Sequence, residues 1–315
     1  MGIELHRGAV AEVVVEYPPV NAIPAAGWHA LADAVTAAGV DPGTRVIVLA
    51  AEGRGFCAGV DIKEMQRTAG HEALLAANRG CAAAFAAVYD CPVPVIVAVQ
   101  GFCLGGGVGL AGNADLVVAA DDATFGLPEV DRGALGAATH LARLVPHQLM
   151  RTMVYTCRPV SAWDLHRFGT VLEVVPVAGL RRAARRVAEE IAAKDPLVIR
   201  RAKESLNGID PIDVKRSYRF EQGFTFELNL NGAGDRARQR FIEGGARGAD
   251  SGPRGDGSSP RRDGSSPRRD DGGARGDGGA RGDGGARGDG GSARRDGDAE
   301  RGGGPEEDGD ARSGT

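Results

Sequence analysis

Apolar and polar positions alternate along AVAEVVVEY (residues 9–17), the two-residue period of a strand with one buried face. Trp28, Leu31 and Val35 recur at helical spacing in AAGWHALADAVTAAG (25–39), and Gly39 is a suitable stop. RVIVLAAE (45–52), PVPVIVAVQG (92–101) and ADLVVAAD (114–121) are short, nearly continuous apolar runs. Such runs mark parallel strands buried on both faces. HEALLAANRGCAAAFAAVYDC (71–91) predicts a long helix ended by Pro92, and SAWDLHRFG (161–169) one that begins at a serine cap and ends at glycine. AGLRRAARRVAEEIAAKD (178–195) and PLVIRRAKESLNG (196–208) predict amphipathic helices, with the arginines on a solvated face. SYRFEQGFTFELNL (217–230) and GDRARQRFIEG (234–244) close the folded part. Strands alternating with helices predict an α/β core over residues 1–180, followed by a helical C-terminal region over 181–244.

Composition changes abruptly after that. GSSPRRDGSSPRRD (257–270) is a tandem repeat, followed by GGARGDGGARGDGGARGD (272–289), and large apolar side chains vanish. Such a stretch cannot offset an ordering entropy of roughly 1–2 kcal/mol per residue, so residues 245–315 are expected to be a disordered tail. Arg and Asp alternate there, which prevents a strong field of one sign. The repeated RGD triplet is forced by composition and is no argument for cell adhesion.

The whole chain has 315 residues, 42% hydrophobic, with a formal net charge of -4. That balance gives no reason to expect nucleic-acid or membrane-surface binding. No signal peptide and no membrane span are expected. Cys57, Cys81, Cys91, Cys103 and Cys157 fit no zinc spacing, and no metal is expected. An odd count without a leader suits reduced thiols in the cytoplasm.

Two glycine-rich turns carry the candidate chemistry: GRGFCAGVDIKEM (53–65) and GFCLGGGVGLAGNAD (101–115). The second has no lysine for a phosphate loop, and Leu110 stands where a dinucleotide fingerprint needs its last glycine. Each turn follows a buried strand and leads into a helix, whose first amide groups are unpaired. Two such turns could aim two N–H donors at one carbonyl oxygen, an oxyanion hole. Cys57 and Cys103 stand beside them. A nucleophilic thiol is conceivable there, but small buried hydrophobes are the commoner outcome.

AGxD, then GxxxGGG, then FGxPE at these distances resemble the crotonase (enoyl-CoA hydratase/isomerase) superfamily, from Val13 to about Phe241. The resemblance implies a core of repeated ββα turns, a helical C-terminal trimerisation region and an acyl-CoA thioester substrate. It implies a homotrimer or dimer of trimers and no cofactor beyond the substrate's own CoA. It assigns the oxyanion N–H groups to Val60 and Gly106, CoA or substrate contacts to Ala22, Asp61 and Lys63, and an acid/base role to Glu129.

One family feature is broken. Hydratases of this family carry a second glutamate three residues after the middle glycine of the triplet, and here that position is Gly109. Hydration by the two-glutamate route is therefore not expected. Asp131, Arg132 and His140 follow Glu129 closely. Asp131 is a candidate second carboxylate or an ion-pair partner of Arg132. His140 is a candidate acid/base or a packed histidine. YPPVNAIP, ANRGC, DATFGLPEVDRGALGAATHLARLVP and IAAKDPLVIRRAKESLN resemble, more narrowly, a crotonase branch of bacterial steroid catabolism that hydrolyses a ring of a bicyclic β-keto CoA thioester. Water would add to a ring ketone with Glu129 or Asp131 as base, and the adjacent carbon–carbon bond would break as in a retro-Claisen reaction. A glycine at 109 would leave room for the bulky acyl group. Two rival expectations stand beside this one: an enoyl-CoA isomerase or hydratase using Glu129 alone, and a non-catalytic CoA-binding scaffold.

Overall fold

The structure, a computed structural model, describes residues 1–68 and 70–250. In chain order the elements are β1 (Gly2–His6), β2 (Val10–Glu16), β3 (Ala22–Ile23), α1 (Ala25–Val40), β4 (Val46–Ala51) and β5 (Gly59–Val60). Then come α2 (Ile62–Arg67), α3 (Glu72–Tyr89), β6 (Val95–Val99), β7 (Phe102–Leu104), α4 (Gly106–Asn113), β8 (Leu116–Ala120) and β9 (Thr124–Gly126). A 3-10 turn at Val130–Arg132 precedes α5 (Ala138–Leu141), α6 (His147–Thr156), β10 (Val160–Ser161), α7 (Ala162–Arg167) and β11 (Glu173–Val175). The chain continues through α8 (Leu180–Ala192), α9 (Pro196–Gly208), α10 (Val214–Leu230) and α11 (Ala233–Asp250). The backbone of α11 thus takes in residues 245–250, which composition assigns to the tail. The rest of the predicted tail lies outside the described residues.

Six strands form the main sheet in the order β1-β2-β4-β6-β8-β11, parallel except that β1 runs antiparallel to β2. Smaller sheets, β10-β9-β7 and β3-β5, take the short strands. Four passages of the chain, starting at β2, β4, β6 and β8, each give one strand to the main sheet, one short strand to a smaller sheet, and then a helix. This is the repeated ββα unit that the resemblance implies.

Two-sided burial explains the apolar runs. Val46, Val48 and Ala50 of β4 face α8, through Leu180, Ala184 and Val187. Ile47, Leu49 and Ala51 face the opposite core, with Trp28, Leu31 and Phe85. Alternating side chains point to opposite faces of a strand, so both sets must be apolar. The first helix of the predicted C-terminal region therefore completes the α/β core. The α9 helix begins with Pro196 after Asp195, whose carboxylate accepts from the Leu197 and Val198 N–H groups, a helix start readable in the sequence.

Asn21 fixes the entry to β3. It is buried, with φ 52° in the left-handed region. Its Oδ1 accepts from Tyr17 N–H at 2.7 Å, and its Nδ2 donates to the carbonyls of Glu52 (2.7 Å) and Gly55 (2.8 Å). This one side chain ties the segment before β3 to the turn after β4. Asn21→Ala leaves three backbone groups without that partner and should cost roughly 2–3 kcal/mol. A fall in the urea midpoint would register it; an unchanged midpoint would show that water replaces the amide at no cost.

Candidate active site

The two glycine turns meet. Along the β3-β5 pair, the acceptors Asn21 and Ile23 are two residues apart, but their donors Ala58 (3.2 Å) and Asp61 (3.1 Å) are three apart. Gly59, with φ 90°, pairs with Ala22, and Val60 pairs with Ile23. A Cβ on Gly59 would lie 3.3 Å from the Leu104 carbonyl and 3.4 Å from the Gly106 nitrogen. On the facing turn, Gly105 (φ 55°) donates its N–H to Gly126 O and accepts the first helical bond from Gly109 N–H. Gly106 is thus the first residue of α4, and its N–H has no partner within the helix. Its own lack of a side chain is required by Trp28, whose ring would stand 2.7 Å from a Cβ. Val60 and Gly106 line one cavity, together with Glu129, Phe85 and Tyr218.

Glu129 is the N-cap of the 3-10 turn. Its Oε1 packs against Gly105, where a Cβ would come within 2.5 Å. Its Oε2 is shut off from solvent and has no hydrogen-bond partner. Burial pushes the carboxyl up to about 8, against the smaller downward pulls of its own backbone N–H and of Arg132. At neutral pH the group mostly holds its proton, and a small change of surroundings turns it into a base.

Asp131 does not join it. The residue is exposed and does not line the cavity. The reason is geometric. A 3-10 turn has about three residues per turn, so positions i and i+3 share a side while i and i+2 diverge. Glu129 and Arg132 therefore face the cavity together and Asp131 turns away. The expected pair of carboxylates is replaced by one carboxyl and one guanidinium.

His140 is also outside the cavity. It is buried on α5, with Nδ1 2.8 Å from Asn113 Nδ2 and Nε2 unpartnered. Its ring packs on Phe85 and Tyr218, each at 4.9 Å between centroids. Burial, aided by Arg143, lowers its pKa to about 3, so it stays neutral. This is a packed histidine and not a proton carrier.

Gly109 does not open space for an acyl group. A Cβ there would lie 2.2 Å from Cζ of Phe85. The Phe85 ring, reaching across from α3, fills the volume that a side chain at 109 would enter. It also packs edge-on against Trp28 at 5.8 Å and lines the cavity. Phe85 is the cavity residue that sequence reasoning missed. Its signal was a single aromatic ring in the small-residue run CAAAFAAV, opposite a glycine-rich helix.

The remaining candidates sit close to β5. Ala22 pairs with Gly59. Asp61 caps α2 by accepting from Lys63 N–H at 2.9 Å, with Arg67 at 3.8 Å, so its carboxylate has a structural task. The Lys63 side chain is exposed on the first turn of α2. Cys57 and Cys103 are fully buried, and burial drives the Cys57 thiol up to about 12 and raises that of Cys103. Neither is a thiolate nucleophile.

The family model described as Enoyl-CoA hydratase/isomerase matches residues 6–231. A (7aS)-7a-methyl-1,5-dioxo-2,3,5,6,7,7a-hexahydro-1H-indene-carboxyl-CoA hydrolase from Rhodococcus jostii (strain RHA1) is 67% identical over 236 residues, covering 75% of this chain and 92% of the relative. The protein of the same name from Mycobacterium tuberculosis is 64% identical over 234 residues, covering 74% and 95%. Among solved structures, an enoyl-CoA hydratase/isomerase from Xanthobacter autotrophicus Py2 superposes with a TM-score of 0.70 at 28% identity, covering 78% of this chain and 93% of that one.

Proposed function

The chain belongs to the enoyl-CoA hydratase/isomerase family, and from that premise we propose that it hydrolyses a carbon–carbon bond in a ring of a bicyclic dioxo CoA thioester formed in steroid breakdown. The observation that carries this reading is the 67% identity to a protein named as a hexahydroindene-carboxyl-CoA hydrolase. The site supports it, because a single carboxyl lines the cavity and Phe85 fills the place of the hydratase's second acid.

The chemistry follows from the geometry. Ionised Glu129 takes a proton from water, and the oxygen bonds to the carbon of a ring ketone. The adjacent ring bond breaks, and its electron pair passes to the conjugated thioester as an enolate. The N–H groups of Val60 and Gly106 hold the enolate oxygen. Glu129 returns its proton to carbon, and the former ketone becomes a carboxylic acid that stays attached to the opened acyl chain, so one water is consumed. Lys63 and Ala22 serve the CoA end, and no cofactor is needed beyond the CoA that the substrate brings. Exposed Leu197, Val198, Phe220 and Leu230 on α9 and α10 suit contacts between copies in a trimer or dimer of trimers. Among the described residues no helix is long and apolar enough to cross a membrane. Acyl-CoA chemistry and the five free cysteines fit a cytoplasmic setting.

A substrate panel tests the reading. Offered the bicyclic dioxo thioester, crotonyl-CoA and a 3-enoyl-CoA, the protein should consume the first, with the mass of one water gained and a new carboxylate. Rapid turnover of crotonyl-CoA with no ring opening would replace the reading by an ordinary hydratase. Binding of all three without turnover would point to a scaffold.

A further inference from the structure

Ring opening by this route creates negative charge twice, on the thioester oxygen and on the oxygen of the attacked ketone. The Val60 and Gly106 amides can serve only one of these. The cavity holds a second set of donors. Arg132 lines it on the same side of the 3-10 turn as Glu129. Its guanidinium lies over the Phe241 ring at 4.3 Å. Glu129 and Asp131 influence it only through space, and among the described residues no hydrogen bond to it is present. The cavity's other arginine, Arg238, is already tied to Asn229 and Asp235. Asn78 adds a further donor to the lining, because its buried Nδ2 has no partner. A buried donor without an acceptor is costly, so a cavity that holds the unpaired Asn78 amide and the half-buried Arg132 guanidinium in one lining is shaped for an oxygen-bearing guest.

We infer that Arg132, assisted by Asn78, binds the ketone oxygen of the acyl group as it becomes an oxyanion and then a carboxylate. This rests on the proposed ring opening and adds the specificity behind it: acyl groups carrying a second oxygen function remote from the thioester. The step needs no further reactant. The oxygen that gains charge on water addition is the one that the guanidinium holds, and after cleavage the same contact becomes an arginine–carboxylate pair. That pair also predicts product-like ligands.

The test uses the full chain and reads binding apart from turnover. CoA thioesters with a terminal carboxylate, from succinyl-CoA to pimelyl-CoA, are compared with straight-chain acyl-CoAs of matching length by calorimetry. At least one of the carboxylate series should bind roughly tenfold or more tightly than its alkyl counterpart. Arg132→Gln should erase that preference and lower ring-opening kcat by about a hundredfold, while Arg132→Lys keeps part of both. Phe241→Leu removes the ring and leaves the guanidinium, so it should retain the preference. A preference absent in the wild type, or unchanged in a folded Arg132→Gln, overturns the inference. If the preference depends on Arg132 but the bicyclic thioester is not opened, the donor pair stands and the reaction assignment falls.

Discussion

Glu129→Gln is expected to bind the bicyclic CoA thioester as the wild type does and to lose roughly a thousandfold or more in turnover. Glutamine keeps the shape of the side chain but can neither take a proton from water nor return one to carbon. Positioned acid/base groups contribute about 10²–10⁴-fold, and the enolate amides, which set part of the remaining rate, are untouched. Isothermal calorimetry against single-turnover kinetics separates the two quantities. Retained turnover would remove Glu129 from the mechanism. In the wild type, kcat/KM should rise with pH and level off near the value of about 8 to which burial lifts this carboxyl. That rise should be absent from the residual activity of the variant.

The same substitution should stabilise the fold at neutral and alkaline pH. The folded-state pKa is raised above the ordinary carboxylate value of 4.5. The group's contribution to stability is therefore complete below about pH 4.5 and is lost as pH rises towards about 8, because the unfolded chain releases the proton first. At pH 7 the loss is at most on the order of 3 kcal/mol by the usual conversion of pKa shift to free energy. Urea midpoints of wild type and Glu129→Gln should lie close together at pH 5 and separate at pH 8, the variant being the more stable. Such a cost is what a site spends to hold a proton in an apolar wall.

Glu129 was legible as the acid/base candidate through FGLPE, but its burial was not, because Asp131, Arg132 and His140 follow it closely in the chain. The long elements were legible too. β2, β4, β6 and β8 showed two-residue alternation or continuous apolar runs, and α1, α3, α8 and α9 showed helical spacing with recognisable stops and caps. The two-residue strands β3, β5 and β10 were not, because a pattern needs more than one period to be seen; only the family resemblance implied their presence. Two errors of placement have one source: Asp131 and His140 are close to Glu129 in sequence, so proximity along the chain stood in for proximity in space, while the room expected at Gly109 was inferred from the absence of a side chain alone. The 3-10 turn sends Asp131 outward, two aromatic rings cover His140, and Phe85 arrives from another helix to occupy the space beside Gly109. Contacts between α3 and α4 are tertiary, and no local pattern in either segment specifies them.

Gly109→Glu, which restores the hydratase acid, should therefore fail as a gain of function. Its Cβ would begin 2.2 Å from the Phe85 ring, and its carboxyl would enter an apolar wall formed by that ring, which packs on Trp28. Overpacking alone costs about 1–3 kcal/mol, and burial of an unpaired carboxyl adds to it. A destabilisation above about 3 kcal/mol is expected, with no hydration of crotonyl-CoA. Phe85→Ala alone should also cost roughly 3–5 kcal/mol by leaving a cavity. The informative variant is the double one. If the ring and the side chain at 109 compete for one volume, combining the two changes should cost at least about 1 kcal/mol less than their sum, because each fills or vacates what the other needs. Slow hydration of crotonyl-CoA should appear only there, where Glu129 and a second glutamate at last share an open wall. Strict additivity would mean that Phe85 swings aside without resistance. In that case glycine at 109 would owe nothing to the ring, and the divergence from a hydratase would have to lie in the donors around Arg132 instead.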